Sequence, residues 1–176
     1  MKFNITLILI ICFAFSFAQD LKIPLDTAYV TNSSINIKGK PINYKAETGF
    51  QPVWDTNGTI IASLYYTYYK RTNDSKNTKR PIIYSFNGGP GSASVWMHIA
   101  YTGPKILNID DEGYPIQPYG VKDNPNSILD VADIVFINPV NTGYSRKIAG
   151  KDGKLPDDKL FFGVNADIKY LAKWIN

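Results

Sequence analysis

The chain has 176 residues, and 19 lysines and arginines against 15 aspartates and glutamates give a formal net charge of +4. Basic residues are mixed with acidic ones, as where Lys76, Lys79 and Arg80 lie near Asp74, so the sequence lacks the basic stripe of a nucleic-acid-binding protein. The single cysteine, Cys12, lies in an N-terminal apolar run. The remainder can form no disulfide and must depend on its hydrophobic core for stability.

The first 18 residues have the pattern of a secretory signal peptide. Lys2 supplies a positive start, residues 5–17 form a continuous apolar run, and Ser16 and Ala18 are the small residues that a signal peptidase reads. An uncleaved anchor helix is the alternative, but the run is too short to cross a bilayer comfortably. We therefore expect cleavage after Ala18 and a secreted or periplasmic protein with no integral membrane span.

The next part of the chain predicts a polar segment followed by a β-hairpin. Residues 19–34 are mainly polar, and the domain is expected to span residues 35–176. Alternating apolar and polar residues indicate strands over residues 35–37, 41–46 and 60–70. Asn57-Gly58, just before the last of these, is a strong signal for a tight hairpin turn.

Strands and helices alternate in the second half of the chain. Apolar patterns predict two buried strands, over residues 81–86 and 134–137. They also predict two helices, over about residues 94–101 and 162–175. The second helix has an apolar stripe that should face the core, made of Val164, Ile168, Leu171, Ala172 and Ile175. This order predicts an α/β fold with a mainly parallel sheet after the hairpin.

A glycine-rich turn, Asn87-Gly88-Gly89-Pro90-Gly91-Ser92, joins the first buried strand to the helix after it. Such a turn places backbone N–H groups at the C-terminal edge of the sheet, where anions and oxyanions bind. The glycines have no side chains to shield these donors, and Pro90 stiffens the turn. The sequence therefore predicts a preorganised site for negative charge.

Three kinds of site share this pattern. A P-loop is excluded because no Gly-Lys-Ser/Thr follows the glycines. A dinucleotide fingerprint is half present, because Ser94 stands where its third glycine belongs and Asp110 or Asp111 would have to bind the ribose. A nicotinamide cofactor does not suit a protein outside the cell. The third kind is an oxyanion-hole loop, which needs only rigid backbone donors.

Two blocks of sequence resemble the serine carboxypeptidase family, in particular its bacterial, disulfide-free branch. The first block is Phe86 with the glycine-rich turn and Ala93-Ser94, followed by Gly103-Pro104. The second block comprises Asn124-Pro125, Ser127, the strand over residues 134–137, Pro139-Val140 and Thr142-Gly143-Tyr144-Ser145. The resemblance covers roughly residues 35–176. It implies the N-terminal part of an α/β-hydrolase sheet that lacks the central nucleophile strand.

The resemblance also implies an activity and a set of roles. The family's members are serine-type carboxypeptidases, which cleave peptides from the C-terminus through an acyl-enzyme. By the same resemblance, the N–H of Gly89 is an oxyanion-hole donor, while Asn87 and the N–H of Gly88 hold the substrate's C-terminal carboxylate. The implied partner is a peptide with a free C-terminus, and no cofactor or metal is implied.

Four positions depart from the family's pattern. Tyr101 replaces the glutamate that supports the carboxylate site, which removes a carboxyl partner for the substrate. Asn138 and Asn141 stand where an acid and a glycine are usual. Ser92 replaces a cysteine, and because it follows the oxyanion turn instead of lying on a later Gly-x-Ser-x-Gly elbow, it is not predicted to be the nucleophile.

The Ser-Asp-His triad is not found in these 176 residues. No Gly-x-Ser-x-Gly motif occurs, and the only histidine, His98, precedes the position at which this fold places its catalytic histidine. We therefore expect His98 to be a helix-surface or packing residue. The chain is interpreted as an N-terminal fragment that is inactive alone, in which a missing strand would pair beside residues 81–86.

Two other functions fit the same sequence. One is a secreted, non-catalytic binding module that uses the tyrosine-rich strand face of residues 65–69, or the pocket of residues 87–89, to bind glycans or carboxylates. Tyrosines are also common strand residues, and packing is the simpler explanation for them. The other is an acyltransferase on the same scaffold, which would pass the acyl group to an alcohol instead of water.

Overall fold

The computed structural model describes residues 22–72, 79–87 and 91–176 of the chain. The predicted signal peptide lies outside these residues. The strands are β1 (Thr27–Ile37), β2 (Lys40–Trp54), β3 (Ile60–Arg71), β4 (Ile82–Ser85), β5 (Lys105–Leu107), β6 (Val121–Asp123), β7 (Asp133–Ile137) and β8 (Arg146–Lys147). The helices are a π-helix (Met97–Thr102), two short 3₁₀ turns (Ile128–Asp130 and Asp158–Leu160) and α1 (Val164–Ile175). No helix in the described ranges is long and apolar enough to cross a membrane.

One mixed sheet organises the molecule, in the order β1-β2-β3-β7-β4, with β8 paired to β3. The pairs β1–β2, β2–β3 and β3–β7 are antiparallel, whereas the pair β7–β4 is parallel. The predicted α/β class is confirmed. Among the described strands the sheet is more antiparallel than expected, because the two long N-terminal hairpins supply most of its area.

The N-terminal hairpin is longer than the sequence predicts. β1 begins at Thr27, inside the predicted polar segment, and pairs with β2 over its whole length. Only Ile35 and Ile37 of β1 are buried, so most of the strand lacks the burial alternation that identifies a strand in a sequence. The turn is Lys38-Gly39, and both residues have positive φ angles, of 51° and 77°, as a two-residue hairpin turn requires.

The predicted turn between β2 and β3 is confirmed. One carboxylate oxygen of Asp55, Oδ1, accepts hydrogen bonds from the N–H groups of Asn57 and Thr59, each at 2.8 Å. Gly58 has a φ of 77°, a conformation that glycine adopts without steric cost. This turn helps to fix the register in which β3 pairs with β2.

The main core lies between the sheet and α1, but α1 is rotated relative to the prediction. Val164 and Ile168 are 78% and 62% exposed, whereas Tyr170 and Leu171 are buried. The hydroxyl of Tyr170 accepts a hydrogen bond from the N–H of Val140, and its ring packs edge-on against Phe161. Leu171 and Ile175 of the predicted stripe do pack in the core, but Val164, Ile168 and Ala172 do not, because the aromatic Tyr170 determines which side of the helix is buried.

A buried ion pair aligns the starts of β4 and β7. The Nε of Arg80 lies 2.9 Å from Oδ1 of Asp133, and both side chains are almost fully buried. The same carboxylate oxygen accepts the N–H of Arg71 at 3.1 Å, and Nη2 of Arg80 donates to the carbonyl of Leu129. These contacts satisfy both charges. They hold the two parallel strands level, so their C-terminal ends reach the same edge of the sheet.

Candidate active site

The candidate site lies where β4 and β7 end side by side. Because these strands are parallel, the segments that follow them meet at one edge of the sheet, the usual place for ligands in α/β folds. Asn87 follows β4 and Asn138 follows β7. Gly88 and Gly89, the predicted backbone donors, lie outside the described residues. Their roles stay predictions, and Asn87 is the predicted site residue that the structure places.

The side-chain amide of Asn87 is held in one orientation. Its Oδ1 accepts a hydrogen bond from the N–H of Met97 at 3.2 Å, at the start of the π-helix. Its own N–H points toward Oγ of Ser94 at 3.3 Å. Among the described residues, the amide nitrogen, Nδ2, makes one contact, a long one of 3.5 Å with Oγ of Ser92. Since the acceptor is occupied, the amide presents its donor end, which is the end that binds a carboxylate.

Ser94 clamps the glycine-rich turn onto the end of β7. Its side chain is buried, and its hydroxyl donates a short hydrogen bond to the carbonyl of Ile137. Its N–H donates to Oδ1 of Asn138 at 3.0 Å. This acceptor is what an aspartate would supply, so the Asn138 departure keeps the clamp. In the sequence, Ser94 stands out only as a match to the family's pattern and Asn138 only as a departure from it, and no local signal indicates that they bond to each other.

The loop over residues 138–145 stabilises the contacts between Ser94 and the end of β7. The hydroxyl of Ser145 is fully buried, donates to the carbonyl of Asn138 at 2.6 Å and accepts the N–H of Tyr65 at 2.8 Å. Asn141 has a φ of 62°, the left-handed conformation for which glycine is the usual choice and asparagine the next best. The departure at Asn141 is therefore compatible with the loop. At Gly143, a Cβ atom would lie 2.2 Å from Nδ2 of Asn138.

A cavity of about 580 Å³ opens beside Asn87. Two sides come from the segments after β4 and β7, and the third comes from the start of α1. The lining residues are Phe86, Asn87, Gly91, Ser92, Pro139, Val140, Asn141, Thr142, Phe162, Gly163, Val164, Asp167 and Leu171. The fixed amide of Asn87 therefore borders a concavity whose other walls are largely apolar, an arrangement typical of ligand sites.

His98 packs against the sheet, as the sequence predicts. Its ring stacks on Phe136 with centroids 4.5 Å apart and planes at 17°, and Nε2 lies 2.7 Å from the hydroxyl of Tyr69. Burial lowers the pKa of His98 to about 4 and raises that of Tyr69, because both charged forms would be desolvated. His98 is consequently neutral at physiological pH, and its role is to pack against Phe136 and Tyr69.

The end of the π-helix explains two further residues of the second sequence block. Asn124 is buried, and its Nδ2 donates to the carbonyls of Tyr101 and Gly103 at 2.9 and 2.8 Å. Ser127 is also buried and donates to the carbonyl of Thr102 at 3.1 Å. The Tyr101 side chain itself is 64% exposed. Both block residues therefore position the helix that holds Asn87, and Tyr101 contributes its backbone to this arrangement.

The tyrosine-rich strand packs within the structure. Tyr65 contacts the rings of Phe50 and Tyr144 edge-on, at centroid distances of 5.3 and 5.2 Å. Hydrogen bonds from Lys45 and, with a smaller effect, from the hydroxyl of Tyr66 at 2.8 Å lower the pKa of Glu47. These contacts give the tyrosines structural roles.

Comparisons with known proteins identify relatives of this chain. The serine carboxypeptidase family model matches residues 36–176. A pheromone-processing carboxypeptidase KEX1 from Lodderomyces elongisporus is 31% identical over 137 residues, covering 77% of this chain and 17% of that protein. Serine carboxypeptidase-like 29 from Arabidopsis thaliana is 29% identical over 122 residues, covering 68% of this chain and 23% of that protein.

A crystal structure is also similar, that of KEX1(DELTA)P, a prohormone-processing carboxypeptidase from Saccharomyces cerevisiae. It is 24% identical with a TM-score of 0.47, and the match covers 74% of this chain and 27% of that one. This chain thus spans about a sixth to a quarter of the length of the relatives it matches. On the family match, which extends over most of the sequence, the chain belongs to the serine carboxypeptidase family.

Proposed function

We propose that this chain supplies the oxyanion-binding and carboxylate-binding part of a serine-type carboxypeptidase. The observation that carries the proposal is the fixed amide of Asn87, a residue that lines the cavity and whose acceptor is occupied by the N–H of Met97. A carboxypeptidase must recognise the charged end of its substrate, and a preorganised amide donor does so through charge-assisted hydrogen bonds.

In this proposal the residues divide the work between binding and chemistry. Asn87 and the N–H of Gly88 hold the terminal carboxylate, and the N–H of Gly89 stabilises the oxyanion that forms when a serine attacks the last peptide carbonyl. The histidine takes the proton of the serine hydroxyl and gives it to the leaving nitrogen, so that the C–N bond breaks and the terminal amino acid leaves as the free amine. Water later hydrolyses the acyl-enzyme and restores the serine hydroxyl. Serine, histidine and aspartate for these steps would come from sequence outside these 176 residues.

We assign the catalytic serine, histidine and aspartate to sequence outside these 176 residues because the histidine and the turn serine of this chain are not suited to the role. Its one histidine is neutral, stacked on Phe136 and bonded to Tyr69. Within the described ranges, Ser92 donates to the carbonyl of Ala93 at 3.3 Å and accepts a long contact of 3.5 Å from Asn87. Loss of a triad lowers turnover by on the order of a million-fold, so we expect the isolated 176 residues to be inactive.

Tyr101 suggests how the site would depend on pH. A carboxyl group beside the substrate's carboxylate binds it best when one proton is shared, which favours acid conditions. Tyr101 has no carboxyl to share, and its side chain is largely exposed. Binding through Asn87 alone would therefore persist at neutral pH, where the substrate carboxylate is ionised.

We also propose that the protein is exported through the N-terminal signal, with cleavage after Ala18, to the periplasm or the medium. The support is the charged start and apolar run at residues 1–18. N-terminal sequencing of the exported protein should begin at Gln19, and a retained Met1 or cell-associated protein with an intact N-terminus would contradict the proposal.

The carboxylate role of Asn87 can be tested with two variants of the complete protein. Asn87→Ala removes the donor, and kcat/KM for a peptide with a free C-terminus should fall about 10- to 100-fold, the usual value of a hydrogen bond to a charged group. Asn87→Asp keeps the acceptor for Met97 but places a negative charge against the substrate, so its loss should be larger.

Substrate and residue controls separate binding from folding. The same peptide with an amidated C-terminus lacks the charge, and the two variants should affect its hydrolysis far less. Asn126→Ala makes the same change at an exposed asparagine outside the cavity and should leave kcat/KM unaltered. Equal losses on both substrates would show that Asn87 acts only structurally and would contradict the proposal. Transfer of the acyl group to added alcohols in preference to water would instead favour an acyltransferase.

A further inference from the structure

The outer edge of β1 is long and regular. β1 pairs with β2 through eleven consecutive residues, from Thr27 opposite Phe50 to Ile37 opposite Lys40, without a shift in register. No strand in the described part of the chain pairs with its other edge, because β1 is the first strand in the order of the sheet. Strands of globular proteins usually have about five or six residues, so this is a long run of edge backbone.

This edge lacks the usual protection against pairing with another chain. Natural edge strands are kept short or are interrupted by charged residues, prolines or β-bulges. Residues 27–37 contain no Lys, Arg, Asp, Glu or Pro, and their pairing with β2 contains no bulge. Large side chains are also exposed here, since Tyr29 is 73% and Val30 49% accessible to solvent. These features are typical of an edge that is covered in use.

We propose that the β1 edge pairs with β1 of a second copy of this chain, in an antiparallel arrangement with two-fold symmetry. Full overlap of the two strands places Thr27 of one copy opposite Ile37 of the other and brings the two Asn32 residues together at the axis. An isologous pair of this kind extends one sheet across both copies and leaves no new free edge between them. The inference is independent of the proposed enzymatic function.

The charges that flank β1 fit this register. Asp26 directly precedes the strand and Lys38 directly follows it. In the antiparallel pair Asp26 of each copy lies opposite Lys38 of the other, whereas a parallel pair would place like charges together. Lys38 already contacts Asp130 at 2.8 Å in its own chain, but its side chain is still 70% exposed and accessible to a second carboxylate. The flanking charges thus select the antiparallel second copy as the occupant.

Asn32 allows a substitution that separates pairing between copies from folding within one copy. In the monomer Asn32 lies opposite Lys45 on β2, so Asn32→Asp adds a favourable neighbour. In the dimer the same change places two aspartates opposite each other. In sedimentation velocity experiments over a concentration series, the complete protein should show a monomer–dimer equilibrium, and N32D should raise its dissociation constant about fivefold or more. Thr56→Asp adds the same charge in the exposed β2–β3 turn and should leave the equilibrium unchanged.

A cross-link tests the register directly. Directly opposed residues of antiparallel strands have Cα atoms about 4.5–5.5 Å apart, within the range that a disulfide bridges. Asn32→Cys should therefore form a disulfide-linked dimer on mild oxidation, and mass spectrometry should find the tryptic peptide of residues 23–38 joined to itself. Thr56→Cys is the matched control and should not cross-link in this way.

Each outcome bears on the proposal. A protein that is monomeric at every accessible concentration would overturn it. A dimer that N32D does not weaken and that N32C does not link would also overturn it, because the contact would then lie on another surface. Charge reversal gives a last check: Asp26→Lys should weaken the dimer, and Asp26→Lys combined with Lys38→Asp should restore it.

Discussion

Two connections leave the same edge of the sheet, and they are held in different ways. The loop after β7, residues 138–145, is fixed by buried groups of its own chain, chiefly the hydroxyl of Ser145 and the N–H of Val140, which donates to Tyr170. Among the described residues of the turn after β4, Asn87 is held by the N–H of Met97 and bonds through its own N–H to Ser94. The first connection is a rigid support, and the second is bonded to it through Ser94, while Asn87, Gly91 and Ser92 line the cavity.

This difference explains where the binding groups can lie. Every hydrogen-bonding group that the support uses internally is unavailable to a ligand, whereas Asn87 keeps its Nδ2 donor for one. A donor is useful to a substrate only if it is held still, and here the rigidity is supplied by a neighbouring strand. Mutations in the support should therefore reduce stability, and mutations in the turn should mainly reduce binding.

The largest effect on stability is expected at Ser145. Ser145→Ala leaves the carbonyl of Asn138 and the N–H of Tyr65 buried without partners, and we expect the free energy of unfolding to fall by about 3 kcal/mol. Urea titration of the purified protein measures this change. Ser92→Ala, in the turn, removes only contacts of 3.3 and 3.5 Å and should cost less than about 0.5 kcal/mol. Similar losses for both variants would remove the distinction between support and turn.

The next effect concerns His98, which joins the helix after the turn to β7. Burial lowers its pKa to about 4 in the folded protein, against about 6.5 when unfolded, so the unfolded state binds the proton first as pH falls. The stabilisation is complete above about pH 6.5 and is lost toward pH 4. Between pH 7 and pH 5 the free energy of unfolding should drop by about 2 kcal/mol.

A variant isolates this contribution. His98→Gln still offers a partner to the hydroxyl of Tyr69 but does not titrate, so the slope between pH 4 and pH 6.5 should disappear even if the protein is less stable overall. The lowered pKa of Glu47 acts in the same direction but below its ordinary value of 4.5, and it is unchanged in the variant. An equal slope in both proteins would mean that His98 is not buried as described.

The elements predicted best from sequence are those whose own residue types indicate burial or a particular backbone conformation. β7 is buried throughout and is apolar after Asp133, and the Asn57-Gly58 turn requires a conformation that few other residues accept. β1 was missed before Ile35 because backbone pairing with β2 holds it and its side chains are mostly exposed. No local pattern reports a contact of that kind.

The position of the site could be predicted from the sequence, but the hydrogen bonds that hold its residues in place could not. The glycine-rich turn after an apolar strand indicates where donors gather, and the structure places Asn87 there. The bond from Ser94 to Asn138 joins residues 44 positions apart, and the rotation of α1 depends on Tyr170 reaching Val140. Such long-range contacts depend on how the elements pack against each other. A single sequence gives information about this packing only through its resemblance to a family.

The smallest effect should come from Asn141, and it tests whether the support depends on buried bonds or on its exposed residues. Asn141 has a φ of 62° and an exposed side chain, so its contribution is conformational. Asn141→Ala should cost about 1 kcal/mol because the left-handed conformation is unfavourable for a residue with a Cβ atom and no polar group to bond locally. Asn141→Gly, which restores the residue usual in the family, should stay within about 0.5 kcal/mol of the parent protein in urea titration. If Asn141→Gly destabilises the protein as much as Asn141→Ala does, the asparagine side chain must make a contact of its own, and the loop is held by more than the buried bonds around Ser145.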